Sequence, residues 1–259
     1  MDHTTIGDSH YFDSIAEQYG VVDIGSAPVR RHSQVYTLLE LAGSLEGKAV
    51  LELACSDGFF TRRLKAAGAE RVVGADLSEK MITLAKASEA QRPLGIEYRV
   101  TNVYDLGVVG SFDLVVSSFL LHYAPDRDDL VEMCRILHAN VKPGGRLISI
   151  NDHPDSPCNS VDGFEKYGET KRIASPAEDG AKLTVTFIIP DAKGKEQRVA
   201  FDCNYFSRET LRWALEKAGF RDVTFHDPEV SPAGLEEYGR EYWELFFEHP
   251  LHVYIECCK

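Results

Sequence analysis

The stretch Val50-Leu51-Glu52-Leu53-Ala54-Cys55-Ser56-Asp57-Gly58 runs from apolar residues into small ones, and a carboxylate, Asp76, stands 18 positions after Gly58. Small residues at a strand end let the backbone approach a ligand at the start of a helix, and an acid closing the next strand can accept both hydroxyl hydrogens of a ribose. The chemistry implied is nucleoside binding. Asp76 could instead cap the following helix, but Ser78 already fills that role. Two further pairs, His122-Tyr123 and Asp152-His153, each follow an apolar run. Imidazoles ionise near working pH, so His122 or His153 could take a proton from a substrate or orient it. A hydrogen-bonded wall histidine is the plainer alternative.

The elements that position these residues follow from the pattern. Lys48 to Ala54, Arg71 to Ala75, Ile96 to Val100, Phe112 to Ser117 and Arg146 to Ile150 read as strands. Helical segments separate them: one ends at Gly68, one starts at Ser78, and one buries Leu130, Cys134 and Leu137 before Pro143-Gly144-Gly145 turns the chain. Strands alternating with helices imply a parallel sheet. Ser207 begins another helix, stopped by Gly219, and strands near Val223 and from His252 to Cys257 complete seven. Between the fifth strand and Ser207 the connection is long, and the alternation of Leu183, Val185, Phe187 and Ile189, a turn at Asp191 to Lys195, then Val199, Phe201 and Cys203 predicts a β-hairpin. Long insertions of this kind often cover sites.

The expected fold is therefore α/β: a Rossmann-like, seven-stranded, mostly parallel sheet with helices on both faces and an inserted β-hairpin, with an N-terminal lid as a use for Tyr11, Phe12 and Tyr19, which have no strand of their own to pack in. One domain spans 1–259, divided into a helical lid (1–45), a cofactor-binding core (46–150), a substrate-side insertion (151–206) and the rest of the core (207–259). Lys plus Arg number 28 against 41 for Asp plus Glu, and the net charge of −13 disfavours nucleic acid and anionic membranes as partners. There is no apolar run long enough to span a bilayer and no signal-peptide pattern at the start, so the cytoplasm is the expected location. The six cysteines lack metal-type or secreted-framework spacing and are expected to be reduced, and no metal is expected.

Five blocks in order resemble class I S-adenosylmethionine (SAM) dependent methyltransferases: Val50 to Gly58, Val73-Gly74-Ala75-Asp76-Leu77-Ser78, Thr101-Asn102-Val103, Phe112 to Ser118 with Leu121-His122-Tyr123, and Leu137 with Val141 to Leu147. Pro28-Val29-Arg30, Phe59 to Leu64, Val230-Ser231-Pro232 and Tyr242-Trp243 resemble a small-molecule branch that includes toxoflavin-biosynthesis methyltransferases. The resemblance implies SAM as cofactor, S-adenosyl-L-homocysteine as product, and methylation of a nitrogen or oxygen on a compact metabolite, in a monomer or homodimer.

Carried onto this chain, the resemblance assigns the cofactor to Tyr19, Arg30, Glu52, Ala54, Ser56, Gly58, Asp76, Leu77, Asn102, Val103 and Ser118. Arg30 would pair with the methionine carboxylate, and Asn102, where the family commonly has Asp, would accept the adenine amino proton. Tyr11, Phe12 and Tyr19 would close over the cofactor, while Tyr11, Tyr123 and Asp152 would touch substrate. Phe164 and Tyr167 either join the substrate site or form an aromatic pair under the hairpin. Ala54 and Ser56 replace two of the family's usual glycines. A dinucleotide oxidoreductase would use the same strand, turn and acid but lacks its glycine fingerprint here; a non-catalytic SAM-binding regulator and a protein methyltransferase are the remaining alternatives.

Overall fold

The computed structural model describes residues 13, 27–156, 161–173, 177–190 and 196–259. Its centre is a seven-stranded sheet built from β1 (Ala49–Leu53), β2 (Arg71–Asp76), β3 (Glu97–Val100), β4 (Phe112–Ser118), β5 (Val141–Asp152), a strand Arg221–His226 and a last strand His252–Cys258. From one edge the order runs β3, β2, β1, β4, β5, then His252–Cys258 and Arg221–His226. The first five are parallel, and His252–Cys258 runs antiparallel to both its neighbours. The order reverses at β1, where one crossover leaves toward β2 and another toward β4, and a crevice opens outside the strand ends at such a point.

Strand alternation sorts the side chains between two helix layers. Leu51, Leu53, Val73 and Val115 face α4 (Arg127–Asn140) and α5 (Arg208–Lys217), which bury Leu130, Cys134, Leu137, Leu211 and Leu215. Val50, Val72, Leu114 and Val116 face α1 (Val35–Ala42), α2 (Phe59–Ala66) and α3 (Glu79–Gln91), through Leu38, Ala42, Phe60, Leu64 and Ile82. The helices start where side chains satisfy their free N–H groups: Ser78, Asp126 and Ser207 accept from Met81, from Asp128 and Asp129, and from Thr210.

Within 1–45 the described residues 28–42 are helical, pack on the core through the buried Leu38 and Ala42, and line the cavity described below through Arg30 and Gln34. Two expectations change. Pro143-Gly144-Gly145 is not a turn ahead of the fifth strand but a bulge within it, because Phe112 pairs with Val141 and Leu114 already with Arg146. The insertion is a three-stranded sheet, since β6 (Glu169–Ile173) pairs antiparallel with β7 (Lys182–Pro190), which pairs with β8 (Glu196–Asn204). Finally, α6 (Pro232–Tyr238) and α7 (Arg240–Glu248) were not foreseen; Trp243 and Phe246 from α7 form a third cluster with Val29, Phe164 and Tyr167. Among the described residues, no helix is long and apolar enough to cross a membrane.

Candidate active site

The turn after β1 bends tightly: Ala54 has φ +58°, Ser56 +50° and Gly58 +81°. Two non-glycine residues therefore hold a left-handed backbone, a strain that persists where surrounding structure enforces it. Asp76 does the enforcing. Its Oδ2 accepts the Ser56 N–H at 2.8 Å and its Oδ1 accepts the Ser78 N–H at 2.9 Å. Burial pushes the Asp76 carboxyl above its ordinary value, against the pull of these N–H groups. Beside it a slot of about 140 Å³ is lined by Leu53, Ala54, Leu77, Asn102, Val103 and Met133. The Asn102 oxygen already accepts the Tyr104 N–H at 3.0 Å, so only its second lone pair is left for a ligand.

Two expected cofactor residues lie behind this surface. Strand alternation turns Glu52 toward α2, where it is fully buried; Thr61 Oγ1 and Ser118 Oγ donate to it at 2.5 and 2.9 Å. Burial pushes its carboxyl up to about 8, against the opposing pull of those bonds. Glu52 thus supports Ser118, which does line the cleft. Gly58 is also off the wall: a Cβ there would run into the Tyr98 hydroxyl, so the glycine serves packing and its positive φ.

From the turn, a larger cavity of about 430 Å³ reaches to the inserted sheet, past Phe119, Tyr123, Tyr167, Val185, Phe187 and Phe201. Arg30 and Gln34 line it from a π-helical turn, Arg30–Gln34. The Arg30 guanidinium lies 4.1 Å over the Phe59 ring and 4.0 Å from Asp57, with its Nε buried and without a hydrogen-bond partner among the described residues.

Between these two regions stands His122. Its Nδ1 is 2.6 Å from Asp152 Oδ2, while its Nε2 is buried and has no hydrogen-bond partner among the described residues. Asp152 Oδ1 in turn pairs with Lys171 Nζ at 2.6 Å, Lys171 lies 3.5 Å from Glu169, and Glu169 lies 3.2 Å from His252 Nε2. Gln34 Nε2 closes the chain at 3.2 Å from the His252 ring. Burial alone would raise the Asp152 carboxyl, but the Lys171 ammonium and the His122 bond outweigh it and hold the group well below the usual range. Burial likewise works against the Lys171 charge, yet Asp152 and Glu169 keep its pKa raised. With Nδ1 facing a carboxylate, the ring proton of neutral His122 belongs on Nδ1, which leaves Nε2 as an acceptor.

The expected residues divide accordingly. Arg30, Ala54, Ser56, Asp76, Ser118, His122, Tyr123, Asp152 and Tyr167 meet around the larger cavity, and Leu77, Asn102 and Val103 around the slot. His153 is not on that wall; it borders an adjoining space of about 30 Å³ that His122 and Asp152 also line, and its Nε2 faces Asp227 at 3.1 Å. Phe164 is core, packed near Tyr167, whose hydroxyl donates to the Tyr242 carbonyl at 2.7 Å. Tyr11, Phe12 and Tyr19 lie outside the described residues. Lys171 and Glu169 were missed, although Glu169, Lys171 and Ile173 alternate on one buried face of β6, a signal that their charge concealed.

A doubly wound sheet with a carboxylate at the second strand end and a tight turn at the first defines a nucleoside-binding α/β protein. Residues 50–145 match the methyltransferase domain family. The N-demethylindolmycin N-methyltransferase of Streptomyces griseus is 31% identical over 187 residues, 71% of this chain and 74% of the relative. The ubiquinone biosynthesis O-methyltransferase of Bordetella avium (strain 197N) is 35% identical over 130 residues, 49% of this chain, and the chain spans about half, 52%, of that relative's length. In fold, the chain is similar to the CcbJ methyltransferase from Streptomyces caelestis, with TM-score 0.66, 20% identity, and 100% and 99% of the two chains covered. The chain belongs to the class I SAM-dependent methyltransferases.

Proposed function

We propose that the protein methylates a nitrogen or oxygen atom of a small molecule held between the main sheet and the inserted one. The residues present fit SAM. Asp76 stands at the cleft to receive ribose hydroxyls, the slot at Leu77, Asn102 and Val103 is apolar enough for a base, and the Arg30 Nε, without a partner among the described residues, suits a carboxylate. SAM held there would supply an electrophilic methyl group, its carbon–sulfur bond breaking to release S-adenosylhomocysteine as the acceptor's lone pair bonds to the carbon.

The chain's own work is placement and proton removal. Phe119, Tyr123, Val185, Phe187 and Phe201 offer an apolar, ring-lined wall that excludes water and seats a compact ring. Holding two reactants in line can lower a barrier by roughly 7–11 kcal/mol. His122 Nε2 accepts the N–H or O–H proton that the acceptor loses as its new bond to carbon forms, and Asp152 stabilises the imidazolium. The observation that carries this reading is His122 on the wall of the larger cavity, its Nδ1 tied to a carboxylate and its buried Nε2 without a hydrogen-bond partner among the described residues. Relatives named N-demethylindolmycin N-methyltransferase and ubiquinone biosynthesis O-methyltransferase support a small-molecule acceptor. The test is incubation of the protein with methyl-labelled SAM and metabolite extracts, followed by mass spectrometry. Label in a small molecule is expected. Binding of SAM without transfer to any metabolite would favour a regulatory protein, and label in polypeptide a protein target.

A further inference from the structure

We propose that Lys171 is a positioning residue for methyl transfer: from the inserted sheet it offsets the charge of Asp152 and so sets the protonation state in which His122 meets the acceptor. This rests on His122 being the group that takes the acceptor's proton.

Lys171 is buried and does not line the larger cavity; it borders the small space that His122 and Asp152 also line. Its Nζ donates to the Leu251 carbonyl and pairs with Asp152 and Glu169. A buried carboxylate with no cation beside it has two ways to avoid an uncompensated charge. It can take a proton, and then it no longer fixes the His122 tautomer; or it can draw a proton onto His122, and an imidazolium cannot accept another. Lys171 blocks both outcomes. Its charge keeps Asp152 an anion and opposes a second positive charge on the ring two atoms away from that carboxylate.

Facing His122 are Asp152 from β5, the Tyr123 ring at 4.4 Å, the Phe119 ring at 6.2 Å, and the Cys203 thiol of β8, which lies 3.9 Å from Asp152 Oδ2. Burial pushes that thiol up, so it stays neutral. Facing Lys171 are Asp152, Glu169 and Cys203, with His252 behind Glu169. Glu169 thus acts on Lys171 with the opposite sign, and removing it should move His122 the other way. His122, Asp152 and Cys203 also converge closely enough to suggest a cation site, but the Lys171 ammonium already occupies the electrostatic role of one.

The test follows the His122 imidazole by nitrogen-15 NMR through a pH titration of the protein saturated with S-adenosylhomocysteine, which needs no acceptor. Lys171→Met should raise the His122 midpoint by about one pH unit or more, the effect of losing a nearby cation. Lys171→Arg should leave it near the starting value, and Glu169→Gln should lower it. A merely structural role would not give opposite shifts, and the midpoint is read from the folded fraction whatever its amount. Midpoints that stay put, or move the same way in Lys171→Met and Glu169→Gln, would overturn the proposal. The reading beneath it is tested separately: if His122→Asn keeps the full methylation rate with the acceptor identified by labelling, His122 is not the base, whatever the NMR shows.

Discussion

The backbone N–H of Ser56 donates to the Asp76 carboxylate at 2.8 Å, so the end of β2 holds the turn that follows β1. One side chain shapes the turn and, in the proposed function, also receives the ribose hydroxyls. Asp76→Ala is therefore expected to lose cofactor contacts and turn geometry together. Hydrogen bonds to a charged acceptor contribute ~1.5–3 kcal/mol each, so SAM affinity should fall at least about tenfold in calorimetry. Thermal melts of the same variant should show a folded protein with a modest loss. Unchanged affinity in that folded variant would remove Asp76 from the cofactor site.

Glu52 gives a stability signature of known sign. Its carboxyl is pushed up to about 8 in the folded protein from 4.5, chiefly by burial, so the folded state keeps a proton that the unfolded chain releases. The stabilisation is full below the ordinary carboxylate value and declines as pH rises through about 8. Glu52→Gln cannot release that proton. Relative to the parent, its stability should gain on the order of 3 kcal/mol between pH 5 and pH 9. Urea unfolding of both proteins across this range checks the slope.

The two histidines that follow strands four and five should separate sharply. His122→Asn is expected to lower the methylation rate by ~10²–10⁴ with SAM affinity nearly unchanged, and to erase the rising limb of the pH profile. His153 faces Asp227 and does not line the larger cavity, so His153→Ala should keep most of the activity. Steady-state kinetics on both variants decides the matter, and the reverse pattern would move the chemistry to the small space beside His153.

Gly58 is held by Tyr98. A side chain at residue 58 meets the Tyr98 hydroxyl and also a positive φ, and Gly58→Ala should cost about 1–3 kcal/mol. That hydroxyl is itself buried without a partner among the described residues. Tyr98→Phe should accordingly be neutral or stabilising alone and should recover part of the loss in the Gly58→Ala background. A denaturation double-mutant cycle measures the coupling.

The sequence showed the parallel core because buried parallel strands read as continuous apolar runs: Val50-Leu51, Val72-Val73 and Val115-Val116 are such runs, and Asp76 and His122 follow directly from where they end. Strand six of the chain order was hidden because Glu169 and Lys171 sit on its buried face, and charge normally marks the exposed one. Their partners, Asp152 and His252, come from β5 and from the last strand, so only the folded topology brings the four together. Pro143-Gly144-Gly145 was read as a turn since local residues cannot tell a bulge from one; pairing with β4 decides it. His153 illustrates the same limit, because adjacency to a strand end does not fix which way the next side chain points.

The inserted sheet supplies the apolar wall through Val185, Phe187 and Phe201, and the cation beside Asp152 through Lys171. Part of the cavity wall and the cation beside Asp152 thus come from one contiguous stretch, residues 161–204, while His122 and Asp152 belong to the core. Recombination between relatives could exchange that stretch as a cassette and change what is methylated while leaving the nucleoside-binding half untouched. Such an exchange has a compatibility rule: a donor segment without a basic residue opposite Asp152 would strand a buried anion in the recipient. Hybrids should therefore sort into functional and dead ones by the residue that arrives at position 171, more sharply than by the size or shape of the imported wall.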